Sequence, residues 1–221
     1  RETGRIELET LNTSWLIFSD GFSQGPVKAV IKRAFDMAVS VLVLLFAWPV
    51  MALTALLIYR EDGGPIFYKQ QRVGQGGRVF ELMKFRSMRV DAEGDGKPQW
   101  ARKDDDRTTR VGRFIRKVRI DELPQLFNVL RGDMSFVGPR PERPFFVERL
   151  SREIPYYNAR HALKPGITGW AQVRYPYGAS VEDAIQKLQY DLYYVKNNTL
   201  FLDLIVLFQT ARVVIWNEGA R

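Results

Sequence analysis

The chain contains no cysteine and only one histidine, and these two shortages remove several classes of site. Without thiols there are neither disulfides nor thiolate metal ligands. A single imidazole, on His161, excludes His-based catalytic triads and zinc sites built from several histidines. Acid–base or nucleophilic chemistry must therefore fall to carboxylates, Lys, Tyr, Ser or Thr, and His161 is predicted to pack or hydrogen-bond rather than catalyse.

Acidic residues are too few to balance the basic ones. The 221 residues include 33 Lys and Arg against 25 Asp and Glu, a formal net charge of +8. Such a chain is expected to meet an anionic partner, which can be nucleic acid, anionic lipid or a phosphorylated substrate. With 46% hydrophobic and 26% charged residues, the composition is that of a folded protein and not of a disordered one.

Charge is absent altogether from Met37 to Tyr59, a run of 23 residues that reads MAVSVLVLLFAWPVMALTALLIY. As a helix this run is long enough to cross about 30 Å of hydrocarbon, so we predict membrane insertion. Pro49 lies near its middle and removes an internal hydrogen bond, and basic residues stand on both flanks, where a spanning helix would show asymmetry. The pattern favours a re-entrant helical hairpin over residues 26–59, with both ends on the cytoplasmic face.

The remaining chain divides around this segment. Residues 1–25 are mixed and polar and are predicted to be a lead or linker; the chain begins at an arginine without a signal-peptide pattern, so we expect it to derive from something longer. Residues 60–221 are predicted to form one cytosolic domain.

This predicted domain opens with two strand-like runs on either side of a glycine-rich turn, which predicts a β-hairpin. Lys84 and Arg86 alternate with Phe85 and would share a strand face, where both can reach a phosphate.

A second stretch with unusual chemistry is residues 116–141, RKVRIDELPQLFNVLRGDMSFVGPRP. Asp121 and Glu122 are adjacent carboxylates at the start of an apolar helical pattern. Asp121 is a predicted N-cap, Pro124 falls in the first turn, and Gly132 stands where the helix would end.

Basic residues crowd this carboxylate pair, among them Arg116 before it and Arg140 in a Gly-Pro-Arg-Pro turn after it. An Asp-Glu pair before an apolar run is by itself most often only a helix start. Together with these cations, however, it suits an anionic, metal-bound phosphate ester.

Further helices are predicted over 180–197 and 200–216, two short ones within 145–163, and a β-like run within 164–173. Asp191 lies inside the first of these. It is either a solvated helical acid or a support for the site. The predicted fold class is therefore α+β and mostly helical, with a small β-hairpin beside the membrane segment.

Three motifs occur in a fixed order: KFRSM at 84–88, IDELPQLFNVLRGDMSFVGPRP at 120–141 and KPGITGWAQV at 164–173. In these motifs, and from about Lys32 to about Val214, the chain resembles the bacterial sugar transferase family, which comprises monotopic polyprenyl-phosphate phosphoglycosyl transferases. Two departures are visible. Trp48 precedes Pro49 where some relatives have a small hydroxyl residue, and RYPYGAS follows GWAQV, so sugar specificity is not carried over.

The resemblance implies an enzyme on the cytosolic face of the bacterial inner membrane, held there by a helix broken at a proline. It would transfer a sugar phosphate from a nucleoside diphosphate sugar, a UDP-sugar, to polyprenyl (undecaprenyl) phosphate, initiating exopolysaccharide or other glycoconjugate synthesis. It further implies Asp121 as the nucleophile that forms a covalent phosphosugar intermediate, Glu122 as the ligand of Mg²⁺, and Lys84 as an active-site residue. Arg86, Arg116 and Arg140 are predicted to bind phosphate with Lys84.

Two other classes of protein account for only part of the sequence. A nucleic-acid-binding protein would use the basic charge but has no need of an uncharged 23-residue run, so no nucleic-acid partner is expected. A non-catalytic membrane scaffold or anionic-lipid-binding protein would explain that run but not the clustered Lys84, Asp121, Glu122 and Arg140. The expected partners are thus the two substrates and inner-membrane lipids, with homo-oligomerisation left open.

Overall fold

The computed structural model describes residues 4–6, 25–92, 105–176, 178 and 180–216, with side chains described as far as residue 213. The predicted lead over residues 1–25 therefore lies almost wholly outside the described residues. The rest is mostly helical with little sheet, which confirms the predicted balance of secondary structure.

The helices and strands follow the predicted order closely. The α-helices are α1 (Pro26–Asp62), α2 (Arg110–Lys117), α3 (Gln125–Arg131), α4 (Pro144–Glu153), α5 (Trp170–Arg174), α6 (Val181–Asn197) and α7 (Leu200–Trp216). The strands are β1 (Phe67–Val73), β2 (Val79–Phe85), β3 (Ser135–Val137) and β4 (Gly166–Thr168), and short 3-10 helices cover Gln75–Gly77, Ile120–Glu122 and Tyr157–Ala162. The predicted β-like run over 164–173 is only partly right, because α5 begins two residues after β4 and buries Trp170 in the core.

Helix α1 contains the predicted membrane segment and extends beyond its predicted end. It begins with Pro26 at its first turn and ends at Gly63, whose left-handed backbone directs its N–H to the Tyr59 carbonyl at 2.9 Å. The helix runs without a break past Pro49, so the predicted re-entrant hairpin is not confirmed. The helix is long and apolar enough to cross a membrane. Its most apolar stretch of 18 residues has a mean hydropathy of 2.6, and only 17% of that stretch is buried. Phe46 is 77% exposed and Trp48 63% exposed, which is unlike the core helix of a soluble protein.

Both ends of α1 are bonded to the same folded unit. Near its start, Arg33 donates to the carbonyls of Val129 and Leu130, at 2.5 and 2.7 Å, at the C-terminal end of α3. Near its end, Glu61 accepts from the backbone N–H of Arg110 at 2.8 Å, at the start of α2. The exposed apolar middle of the helix thus lies between two anchored ends.

Strands β1 and β2 form the predicted antiparallel hairpin, in register from Phe67 opposite Phe85 to Val73 opposite Val79. The buried Phe85 packs with Ile58 of α1 and Ile115 of α2 in one apolar cluster. This packing fixes the end of β2 against the domain and so places the neighbouring Lys84.

Strands β3 and β4 pair in parallel beneath α6 and α7, two helices of 17 residues each. The buried Tyr194 hydroxyl of α6 donates to the Val137 carbonyl at 3.0 Å and contacts the Asp203 carboxylate of α7 at 2.6 Å. Lys32 of α1 reaches the same Asp203 at 3.0 Å. The core therefore ties the strand that precedes the Gly-Pro-Arg-Pro turn to both α1 and α7.

Candidate active site

Asp121 and Glu122 lie in a single 3-10 turn, Ile120–Glu122, that separates α2 from α3. The prediction that Asp121 is the N-cap of α3 is wrong, since that helix begins at Gln125 with Pro124 at the cap position. Arg119 has φ 61° and ψ 15°, a left-handed conformation that few residues other than glycine adopt. The left-handed turn at Arg119 changes the direction of the chain after α2. The Asp121–Glu122 pair, called the dyad below, therefore lies in the bend and not in the helix. Such a conformation is typical of functional sites.

Three cations converge on one oxygen of Glu122. Oε1 lies 3.1 Å from Lys84 Nζ, 3.1 Å from Arg140 Nη2 and 3.9 Å from Arg119 Nη1. The three come from β2, from the loop after β3 and from the left-handed turn. Glu122 is buried, so these contacts lie in a region of low dielectric where charge interactions are strong.

Asp121 is also buried, but its contacts differ from those of Glu122. Its Oδ1 atom has no hydrogen-bond partner in the part of the chain that the structure describes. A buried carboxylate oxygen without a partner is costly in a folded protein. Such an atom calls for an explanation, and a catalytic role is one.

Electrostatics separates the two carboxyl groups. Burial alone would raise the pKa of Glu122, but the positive charges of Lys84 and Arg140 hold that pKa well below its usual range. The pKa of Asp121 is raised, chiefly by burial and then by the neighbouring Glu122 charge, while Lys84, Arg119 and Arg116 oppose the shift. Two adjacent carboxylates with divergent environments are suited to different roles.

The structure brings most of the predicted site residues together, but not all. Lys84 and Arg140 contact Glu122 directly. Arg116 donates to the Thr108 hydroxyl at 3.3 Å and is near enough to affect the titration of Asp121. Arg86 is not part of this group.

Arg86 lies instead at the end of α1, where its buried guanidinium pairs with Asp62. The expectation that it shares a phosphate with Lys84 rested on strand alternation. Strand β2 ends at Phe85, and from there the Arg86 side chain is held by the C-terminal turn of α1. In this structure Arg86 fastens α1 to the hairpin.

The single histidine is half-buried beside Arg160, and desolvation followed by that positive charge lowers its pKa to about 4. His161 packs edge-on against the Tyr157 ring, with centroids 6.3 Å apart, in the 3-10 turn before β4. This position agrees with the predicted packing role.

Sequence reasoning missed a buried ion pair behind the site. Asp191 of α6 is buried, not solvated, and its Oδ2 lies 2.7 Å from Nη2 of Arg160. Arg160 in turn donates to the Arg140 carbonyl at 2.9 Å. No local pattern indicates this contact, because 31 residues separate Arg160 from Asp191 along the chain.

A protein-only metal centre is not present among the described residues, since no cluster of three or more Asp, Glu or His side chains occurs there. Mg²⁺ does not require one, because it is commonly held by one or two carboxylates together with substrate phosphates. Glu122, which its neighbouring cations keep ionised, fits that smaller requirement.

The family model for bacterial sugar transferases matches residues 27–217, which is most of the chain and includes every residue of the site. The chain belongs to the bacterial sugar transferase family. The match begins in α1 and ends one residue after α7, so the apolar helix and the Asp121–Glu122 pair belong to one family unit.

Relatives within this family carry names of one kind. A UDP-N-acetylgalactosamine-undecaprenyl-phosphate N-acetylgalactosaminephosphotransferase from Aeromonas hydrophila is 46% identical over 219 residues, covering 99% of this chain and 51% of the relative. An undecaprenyl-phosphate galactose phosphotransferase from Salmonella typhimurium is 43% identical over 204 residues, covering 86% of this chain and 41% of the relative. A putative undecaprenyl-phosphate N-acetylgalactosaminyl 1-phosphate transferase from Bacillus subtilis is 54% identical over 130 residues, covering 59% of this chain and 72% of the relative.

The chain thus spans about half the length, or less, of the first two relatives. All three names are those of enzymes, and none is that of a scaffold or a lipid-binding protein. The sugars in these names differ, which agrees with leaving the sugar of this chain unassigned.

Proposed function

We propose that this protein transfers a sugar 1-phosphate from a nucleoside diphosphate sugar, a UDP-sugar, to undecaprenyl phosphate on the cytosolic face of the bacterial inner membrane. The observation that carries the proposal is the buried dyad, in which Glu122 is paired with cations and Asp121 keeps one oxygen without a partner. The names of the relatives supply the substrate class.

In the first step a carboxylate oxygen of Asp121 attacks the phosphorus that carries the sugar. A new acyl phosphate bond forms, the bond to the bridging oxygen of the diphosphate breaks, and nucleoside monophosphate leaves with that electron pair. In the second step a phosphate oxygen of undecaprenyl phosphate attacks the same phosphorus. The Asp121 carboxylate is released unchanged and the product is a polyprenyl diphosphate sugar. Covalent catalysis of this kind lets a water-soluble and a lipid substrate use one site in turn.

The surrounding residues have distinct tasks in this scheme. Lys84, Arg119 and Arg140 keep Glu122 ionised and supply positive charge where the phosphate oxygens gather. A Mg²⁺ ion held by Glu122 would neutralise the diphosphate and weaken its repulsion of Asp121. The carboxylate of Asp121 needs no general base once it is ionised, which suits a site without histidine.

The same proposal places α1 in the membrane as a re-entrant element. A straight helix crossing about 30 Å of hydrocarbon would carry its two ends to opposite faces. Here Arg33 near one end and Glu61 near the other are both bonded to the same charged domain. Pro49 in the exposed middle removes one backbone hydrogen bond and permits a bend there. These contacts support a helix that enters and leaves by the cytosolic leaflet.

The test is turnover by protein extracted in detergent, given undecaprenyl phosphate, Mg²⁺ and a panel of nucleotide sugars, with nucleoside monophosphate release as readout. Asp121→Asn keeps the shape of the side chain and removes its charge, so we expect at least about a thousandfold loss, or ~4 kcal/mol of barrier. Asp91→Asn is the matched control, because Asp91 is 77% exposed and lies outside the site.

Mass spectrometry provides the second readout. Wild-type protein incubated with its nucleotide sugar but no lipid acceptor should carry a phosphosugar on the peptide that contains Asp121. A wild-type chain inactive with every donor would contradict the proposed reaction. Near-normal turnover by Asp121→Asn, or an adduct on Glu122, would contradict the assignment of the nucleophile.

A further inference from the structure

The loop that carries Arg140 is held by its own backbone to an unusual degree. Four consecutive carbonyls, from residue 139 to residue 142, each accept a hydrogen bond from outside the loop: two donors lie on β1, one at the start of β4 and one in the 3-10 helix Tyr157–Ala162. The pairs are Gly166 N to Pro139 O at 3.0 Å, Arg160 Nη2 to Arg140 O at 2.9 Å, Arg72 Nη1 to Pro141 O at 3.0 Å and Val73 N to Glu142 O at 2.9 Å.

The sequence of this loop adds to the restraint. Pro139 and Pro141 flank Arg140, and each proline ring fixes its own φ and restricts the residue before it. With the carbonyls of 139 to 142 all bonded, the Arg140 backbone has little freedom left. Its side chain ends 3.1 Å from the Glu122 carboxylate, so its placement depends on the backbone being held.

Two of the four donors are arginine side chains, which is costly unless their charge is balanced. Arg160 is buried; besides the Arg140 carbonyl it contacts Asp191 Oδ2 at 2.7 Å and donates to the Tyr157 hydroxyl at 2.7 Å. Arg72 is balanced by Glu142, at 3.5 Å. Arg160 is therefore oriented by Asp191 on another element, whereas Arg72 is oriented by Glu142 of the loop itself.

We infer that Arg160 and Arg72 are positioning residues for Arg140: they hold the carbonyls of Arg140 and Pro141, so that the Arg140 guanidinium stays at Glu122 where the substrate phosphates bind. The inference rests on the proposed function for the identity of the substrate. It goes beyond that function because neither arginine touches the dyad.

A double-mutant cycle tests the coupling. Arg160→Lys keeps the positive charge beside Asp191 but loses the planar fork that reaches Asp191, Tyr157 and the Arg140 carbonyl together. We expect turnover to fall about 10- to 100-fold, as when a catalytic group is misplaced by about 1 Å. In an Arg140→Ala background the same substitution should cost less than about twofold, because residues that act as one unit are not additive.

Arg149→Lys is the matched control, since Arg149 is 53% exposed on α4 and pairs only with Glu153 among the contacts described. It should leave turnover unchanged in both backgrounds. An equal loss from Arg160→Lys with and without Arg140 would overturn the inference, because a purely structural role is additive. Wild-type turnover in Arg160→Lys would overturn it as well. If Arg160→Lys does not fold, the cycle with Arg72→Lys gives the same two outcomes.

A readout without activity separates this inference from the proposed function. In protein labelled with ¹⁵N-arginine, the Arg140 side-chain Nε–H signal, assigned by its loss in Arg140→Lys, should exchange with water faster in Arg160→Lys than in Arg149→Lys. Equal exchange would overturn the inference even if the wild-type chain proves inactive with every nucleotide sugar.

Discussion

The contact between Lys84 and Glu122 permits a quantitative prediction for Lys84→Met, which keeps the length of the side chain and removes its charge. The two charged atoms are 3.1 Å apart, and at an effective dielectric constant of about 20 they attract by about 5 kcal/mol. Much of this is offset by the cost of burying the lysine, and Arg140 still faces Glu122 in the variant. We therefore expect a net loss of about 2 kcal/mol in the free energy of unfolding.

For a chain of this size, about 2 kcal/mol lowers the midpoint of thermal unfolding by about 4–8 °C. Lys69→Met is the matched control: it lies on the same hairpin and pairs with Glu81 at 2.9 Å, but both side chains are more than half exposed. Its loss should stay below about 1 kcal/mol. Turnover should fall at least about a hundredfold in Lys84→Met and remain unchanged in Lys69→Met.

The stabilisation that Lys84 provides should also depend on pH. Because the pKa of Glu122 is held below its usual range despite burial, its ionisation contributes stability that is complete above the unfolded pKa of about 4.3. That contribution is lost as the pH falls toward the folded pKa. The gap in unfolding temperature between wild type and Lys84→Met should thus be full at neutral pH and narrow below about pH 4. Equal unfolding temperatures at pH 7, or a gap that widens in acid, would refute the reasoning.

Three further predictions follow from other parts of the structure. Burial and the Glu122 charge raise the pKa of Asp121, so the turnover rate should begin to fall in acid at a higher pH than for an ordinary aspartate. Arg119→Gln removes a charge that opposes this shift and should move the fall in rate to a still higher pH. An unchanged pH profile in Arg119→Gln would contradict this prediction. Excess EDTA should abolish nucleoside monophosphate release and Mg²⁺ should restore it, whereas full activity in chelator would remove the metal from the scheme. The chain contains no cysteine, so Lys28→Cys and Lys69→Cys each introduce a single thiol. Both thiols should react with an impermeant maleimide only from the cytosolic side, and labelling from opposite sides would contradict the re-entrant arrangement. Pro49→Leu should straighten α1.

Local patterns predicted the elements near the site because their causes are local. The run from Met37 to Tyr59 is helical, and many of its apolar side chains are exposed. A helix satisfies its own backbone hydrogen bonds, so a run without charged residues can form one before any tertiary contact is made. The glycines between two strand-like runs predicted the hairpin that the structure shows. Gly132 ends α3 in the left-handed conformation that its lack of a side chain permits.

The local reasoning was wrong where a backbone conformation depended on its surroundings. Asp121 has the composition of an N-cap, but Arg119 adopts a left-handed turn and the helix starts four residues after Asp121. The left-handed conformation is unfavourable for arginine, and such strain persists only when packing on both sides imposes it. No property of the residues from Arg119 to Gln125 taken alone indicates that packing.

The sequence by itself determined which residue types were available: no thiol, one histidine, a carboxylate pair, and abundant cations around it. It also determined the helices, the hairpin and the apolar segment, since these follow from contacts a few residues apart. Only the tertiary structure decided which cations face which carboxylate. Lys84 and Arg140 reach Glu122 from 38 and 18 residues away, whereas Arg86, two residues from Lys84, is held by Asp62. The physical reason is that an arginine or lysine can pair with many acids in the unfolded chain. The packing of apolar residues fixes the position of each backbone segment, and that position decides which acid each cation can reach.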